Sequence, residues 1–352
     1  MASPAKSPLR IIIILCLISS VGRFVIDSYL PSLPAIADNL KLATSSVQMT
    51  LTLYLLGFGV SQLIYGPLSD CFGRRKVMLV GLLIFLVGAI GCMLAPNSSI
   101  LMFFRLLSGL GAGSCGVLNR AIASDCFQGA DFSKAWSYTT TTLVLTLIFA
   151  PIIGGFIQQY SSWRANFLLS AIFVGAILAI IYFTLPETKN SNEKRSLDVK
   201  LIVKDYGKIL SSSSFMIATL FYTLAFGGLI AYFQVSPLIF IDHFNLSPTQ
   251  YGLSSVGIAF SYLAGGQIVR KYVHKIGVTP MLHIGIAILF VGGIAMLIAC
   301  YVFESSWQAI LFSAIIYVLG TRIVIPNSMS LAISSFKKSS GTTSAVIGSI
   351  QM

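Results

Sequence analysis

Apolar runs of about twenty residues or more follow one another along this chain, at 9–36, 45–68, 76–95, 99–120, 136–160, 164–185, 213–235, 247–269, 280–303 and 307–328. At 1.5 Å per helical residue each run matches a hydrocarbon core some 30 Å thick. None shows the two-residue alternation of a barrel strand. Each therefore predicts a membrane-spanning helix, because only helices and closed barrels satisfy their own backbone in lipid. An eleventh run opens with "GTTSAVIGSIQM", whose twelve residues reach only about 18 Å and do not cross. The expectation is an all-α membrane protein with about ten complete transmembrane helices plus a truncated eleventh, out of twelve.

One stretch breaks the rhythm. "PETKNSNEKRSLDVKLIVKDYGKIL", 186–210, is charged and has no long apolar run. It divides six spans from four and predicts a duplicated helix bundle: an N-terminal six-helix half at 1–185, a cytoplasmic linker at 186–212, and a C-terminal half at 213–352. A weak repeat supports this, since "GPLSDCFGRRK" after the second run has a counterpart in "GGQIVRKYVHKIG" after the eighth, where glycine and basic residues recur. The N-terminus, "MASPAKSPLRIIIILCLISSVG", imitates a signal peptide but has no A-x-A-like cleavage site, so it reads as a retained first helix.

Composition agrees with this pattern: 56% of residues are hydrophobic and only 10% charged, against about 25% charged in soluble domains. With the N-terminus in the cytoplasm, eighteen of the 23 basic residues fall inside, two outside (Lys41, Arg164) and three within spans (Arg23, Arg105, Arg322). That is a strong positive-inside bias. The net charge of +12 then follows from topology and anionic lipid, with no nucleic-acid partner required. The six cysteines and three histidines are scattered without metal-ligand or disulfide spacing, and no hydrolase, zinc-protease or nucleotide motif is present. The sequence points away from an enzyme, and to no metal or cofactor.

Chemistry is concentrated in a few places. "YGPLSDCFGRRKV" predicts a turn at Gly66-Pro67, with Gly73 at a tight backbone position and Asp70 within reach of Arg74 and Arg75, able to latch two helix ends; the plainer reading is a basic loop serving topology. Arg105 is a charge inside a span and must face a cavity or a partner. Gly109 and Gly113, four and eight residues on, form a small-residue stripe for close helix approach. Pro151, Gly154 and Gly155 mark a kink or close contact in the fifth span. Asp27 is the only acidic residue inside an apolar run. A carboxylate there can load and release a proton, but Arg23 one turn earlier can instead tie it into an ion pair. The aromatics Tyr29, Tyr54, Phe58, Tyr222, Phe226 and Tyr232 are candidates to line a substrate cavity, although most aromatics in such helices pack or face lipid.

The loop "GPLSDCFGRRK" resembles the signature of the major facilitator superfamily, with Gly66, Asp70, Gly73, Arg74 and Arg75 each in place. "RLLSGLGAG" resembles that superfamily's fourth-helix motif, and "APIIGGF" its antiporter motif, with Ala150 in place of glycine. "IDSYLPSLPAI", "WRANF", "LPET" and "IPNSMSLAI" narrow the likeness to the Bcr/CflA (bicyclomycin-resistance) drug exporters. Ser108, Arg23 and Arg322 depart from that group's usual residues. The resemblance implies a secondary active, proton-coupled multidrug efflux antiporter working by alternating access in a bacterial inner membrane. It implies a small amphipathic organic substrate, a proton gradient in place of a cofactor, and a monomer. It implies conformational gating at Gly66, Asp70, Gly73, Arg74 and Arg75, and proton coupling at Asp27 and Arg105. A metabolite exporter of the same fold, and an inactive remnant or membrane interaction protein, are the alternatives that sequence leaves open.

The charge partition makes a topological prediction. In a chain retaining Cys71 alone, a membrane-impermeant thiol reagent is expected to react only from the cytoplasmic side. Labelling in intact cells would reverse the orientation.

Overall fold

The computed structural model describes residues 8–127, 129–189, 206–302, 306–334 and 346–350. Most of the predicted linker and the start of the last apolar run lie outside the described residues. The chain is a multi-pass helical membrane protein, with ten helices long and apolar enough to cross a bilayer among the described residues. In order they are α1 (Pro8–Tyr29) with a 3-10 turn (Leu30–Ser32) and α2 (Leu33–Leu40) forming one span, then α3 (Thr44–Phe72), α4 (Arg74–Leu94), α5 (Ser98–Cys126), α6 (Gly129–Tyr160), α7 (Trp163–Thr184), α8 (Ser213–Pro237), α9 (Pro248–Ile276), α10 (Val278–Val302) and α11 (Trp307–Ser334). Among the described residues there is no strand.

Local chemistry sets the ends. Pro31 and Pro34, which lack amide hydrogens, lie where the first span breaks between α1 and α2. Asn97 caps α5 by accepting from the Ile100 amide at 3.0 Å. At α9, Ser247 and Gln250 form a reciprocal capping box with Pro248 in the first turn. The turn expected at Gly66-Pro67 is not there: α3 runs through Pro67 to Phe72. A membrane helix can continue through a proline where nearby groups take up the freed backbone bonds, and here the Ser69 hydroxyl donates to the Gly66 carbonyl at 2.8 Å. The reversal falls instead on Gly73, whose φ of +96° both ends α3 and starts α4. Gly277 does the same between α9 and α10 at φ +89°, so the two loops that resemble each other in sequence share one backbone device.

The chain forms two compact units. The first comprises Met1–Tyr29, Ala35–Ala150 and Tyr160–Asp198; the second comprises Leu30–Pro34, Pro151–Gln159 and Val199–Met352. In the first, α5 lies between α3 and α4. A Cβ on Gly57 would come 2.5 Å from the Leu106 carbonyl, and Gly109 lies directly against the Tyr54 carbonyl. On the other side, Gly111 meets the Phe85 backbone and Gly88 the Ser108 side chain. In the second unit α11 holds the equivalent position, with Gly292 and Gly320 carrying the backbone crossing with α10. Lipid offers no hydrophobic drive between helices, so these close crossings supply the dispersion contact that holds them.

Gly109→Ala is expected to cost on the order of 1–3 kcal/mol, because its methyl group would collide with backbone that cannot rotate away. Gly293→Ala, with nothing within 4 Å of the new atom, is expected to be neutral or slightly stabilising. Unfolding midpoints of the two variants in detergent check the contrast.

Candidate functional site

Two clusters carry the chemistry of the first unit. The inner one is centred on Arg105 of α5, which is 0% exposed. A guanidinium keeps its charge at any accessible pH, so its burial must be offset by partners. Three rings provide this: Tyr29, Tyr54 and Phe167 lie 4.2, 4.7 and 5.7 Å from the guanidinium carbon. Its Nε donates to the Thr50 carbonyl at 3.4 Å. The rings are fixed in turn, for the Tyr29 hydroxyl shares a 2.6 Å hydrogen bond with the Thr50 hydroxyl and Tyr54 donates to the Gly22 carbonyl at 3.2 Å. Among the described residues no ion pair includes Arg105, and its two terminal nitrogens are buried without hydrogen-bond partners. One cation thus ties together α1, α3, α5 and α7.

Asp27 lies on α1, half a turn before Tyr29, and is 1% exposed. Arg23 Nε meets its Oδ2 at 2.6 Å, so the i, i+4 pair forms. The other oxygen, Oδ1, is buried with no hydrogen-bond partner. The carboxylate is therefore only half satisfied. It stands at the last turn of α1, directly before the 3-10 break at Leu30–Ser32.

The outer cluster gathers the ends of α3, α4, α5 and α7 on one face of the unit. Arg74 Nη1 contacts Asp70 Oδ1 and Ser69 Oγ, each at 2.5 Å, and Arg74 Nε contacts Asp125 Oδ2 at 3.0 Å. Gly73 offers no side chain to cap α4, and Glu187 performs that task from 113 residues away. It accepts from the amides of Arg74 at 2.8 Å and Arg75 at 3.3 Å, placing negative charge at a helix N-terminus. Arg75 Nη2 donates to the Tyr182 carbonyl at 2.6 Å and lies over that ring, and Lys189 Nζ donates to the Asp70 carbonyl. A Cβ on Gly73 would strike the Glu187 carboxylate, so only glycine fits both the φ and the space. Gly66 stands one turn inside, beside Val117.

The other predicted residues are placed as follows. Gly113 lies against Ser61 and the Phe58 carbonyl, and Phe58 packs toward Gly22 and Gly116. Pro151 and Gly155 belong to the second unit, where Gly155 meets the backbone of Pro248 and Thr249, and Gly252 meets that of Pro151; Gly154 is buried beside them. On α8, Tyr222 stacks on Phe226 with ring centroids 6.5 Å apart, and Tyr232 packs edge-on to Phe233. Tyr29 and Tyr54 are fully buried, so in this conformation they enclose Arg105 and line no open surface. Sequence reading missed Asp125, Glu187, Thr50 and Phe167. No group of three or more metal-binding side chains occurs among the described residues.

A family model described as Major Facilitator Superfamily matches residues 12–352. A bicyclomycin resistance protein homolog of Haemophilus influenzae is 27% identical over 349 residues, covering 98% of this chain and 87% of that protein. Multidrug resistance protein D of Escherichia coli is 25% identical, covering 97% of this chain and 85% of the relative. The crystal structure of a D-xylose-proton symporter superposes with a TM-score of 0.78 at 16% identity, covering 97% of this chain and 87% of that one. At that identity the likeness concerns the fold alone.

The remote cap at α4 is testable. Glu187→Ala is expected to cost about 0.5–1 kcal/mol, the lower part of the range for a lost cap because the carboxylate is exposed. It is also expected to speed the labelling of Cys71. A midpoint and a labelling rate unchanged from the parent would show that the cap carries no energy.

Proposed function

The chain belongs to the major facilitator superfamily, and on that footing we propose that it is a proton-driven exporter of small organic compounds in a bacterial inner membrane, exchanging substrate for protons by alternating access. The names of its relatives support export as the direction. Besides the two above, a chloramphenicol resistance protein of Pseudomonas aeruginosa is 26% identical, covering 94% of this chain and 77% of that protein. The observation that carries proton coupling is Asp27, a buried carboxylate inside a span with one oxygen paired to Arg23 and the other unpartnered.

The geometry suggests how a proton would act. Proton arrival neutralises Asp27, weakens its hold on Arg23 and supplies a donor where an acceptor had been orphaned. The change falls beside the break between α1 and α2, a position where a small rearrangement can redirect the rest of the span. Arg105 cannot carry the proton, since a guanidinium does not titrate near neutrality. Its role in this reading is to anchor α1, α3, α5 and α7 through the aromatic cage, so that a shift in α1 is transmitted and not absorbed. The outer cluster of Asp70, Arg74, Asp125 and Glu187 acts as a latch holding four helix ends together in the conformation described. Breaking it is the step by which that face of the first unit would loosen.

Asp27→Asn is the test, with a panel of neutral, anionic and cationic aromatic compounds assayed in everted vesicles. The variant is expected to insert and to bind substrate, and to lose all accumulation driven by an imposed pH gradient. Uphill movement that persists in the variant would remove Asp27 as the proton carrier.

A further inference from the structure

Three cations lie deep within spans, and the structure compensates them unequally. Arg23 has Asp27. Arg105 has three rings and no exposure. Arg322 has neither a carboxylate nor an enclosing cage. It lies fifteen residues into α11, on the order of 22 Å from that helix's first residue, so its charge is at membrane depth. Its guanidinium carbon sits 4.7 Å from the ring centre of Tyr262 on α9, and its Nε is buried without a hydrogen-bond partner. Among the described residues no ion pair includes it. Yet the residue is only partly buried.

The neighbouring helix is shaped around it. Gly265 and Gly266 of α9 form a flat strip along which the arginine lies. A Cβ on Gly265 would come 2.8 Å from Arg322 Cβ, and one on Gly266 would come 3.4 Å from Arg322 Nε. A charge kept inside a membrane, seated on a glycine strip, steadied by one aromatic face and left without an anion, is arranged to receive one. Arg105, the other cation at this depth without a carboxylate, is closed off by three rings and 0% exposed, whereas Arg322 has one ring and is only partly buried.

We propose that Arg322 is a substrate-recognition residue, and that the compounds this protein takes are aromatic or amphipathic molecules bearing a carboxylate or sulfonate, with lipophilic cations rejected. This rests on the reading of the chain as a transporter of small organic compounds. The guanidinium would hold the acidic group by charge-assisted hydrogen bonds, its face remaining on Tyr262.

The test uses three matched probes with the same ring system: 1-naphthylacetate, 1-naphthylacetamide and 1-naphthylmethylammonium. Binding to the purified chain is measured by calorimetry and by the shift in unfolding midpoint, with no gradient present. The parent is expected to bind the acetate roughly tenfold or more tightly than the amide, and the ammonium weakest. Arg322→Gln is expected to bring the acetate down to the level of the amide, while Arg322→Lys keeps part of the preference. The proposal is overturned if the acetate fails to bind at millimolar concentration, if the amide or ammonium binds as well as the acetate, or if Arg322→Gln retains the preference. Should Arg322→Gln not fold, the order of the three probes on the parent and on Arg322→Lys decides. Because binding needs no proton gradient, a failure of proton-driven export in vesicles and a failure of this preference are separate results.

Discussion

In a bilayer interior no water is available to complete an unfinished hydrogen bond or to screen a charge, and nearly every feature of this molecule answers to that lack. Many hydroxyls inside the spans turn back onto their own helices, as Ser108 does to the Phe104 carbonyl at 2.8 Å, Ser170 to Asn166 at 2.9 Å and Thr321 to Tyr317 at 3.0 Å. Such residues stay polar without needing a partner helix. The helices are then held to each other by proximity, and proximity requires glycine. Gly57, Gly109 and Gly111 let α5 meet its two neighbours backbone to backbone, and Gly292 and Gly320 do the same for α11.

Against that background the charged groups divide by how fully they are compensated. Arg105 is enclosed by three rings, two of them tyrosines that are themselves hydrogen-bonded, so its charge works as a rivet: moving any one of α1, α3, α5 or α7 would cost cation–π contact at desolvated strength, about 2 kcal/mol or more for a ring. The latch at Arg74 differs in kind. It lies at helix ends, its carboxylates are partly exposed, and water can replace its contacts one by one. The alternating-access cycle proposed above would use both sorts of joint, one that carries motion and one that gives way.

Much of this could be read from the chain, and the boundary of legibility has a physical origin. The spans were visible because bilayer thickness sets one length for every run, and the signature around Gly73 because a positive φ leaves glycine as the fitting residue. The turn at Gly66-Pro67 was misread, since a proline removes one backbone hydrogen bond from a membrane helix without ending it, as Pro151 in α6 and Pro326 in α11 also show. Asp125 and Glu187 were invisible as partners. Each reads locally as an ordinary charge at a helix end, and their contacts to Arg74 span 51 and 113 residues. Tyr29 and Tyr54 stood out as aromatics in membrane helices, but periodicity does not tell a cavity wall from a cage, and only the position of Arg105 between them does.

The charge of the substrate bears on how exchange with protons would have to work. A cationic substrate and a proton can compete for one carboxylate, which makes antiport a matter of mutual exclusion at a single place. An anion held by Arg322 has no such competition with a proton on Asp27, because the two charges attract. Neutralising Asp27 leaves Arg23 less compensated and adds positive charge to the first unit, which gives an anion no reason to leave. Exchange of an anion for protons therefore cannot come from charge exclusion and must come from conformation, with the protonated and the substrate-bound forms stabilising opposite sides of the cycle. Asp27 is placed for that, since it sits at the end of α1 beside a break in its span, and the α1 it would move is riveted through Tyr29 to Arg105. The proton would then govern which way the protein faces, and Arg322 would govern what it carries.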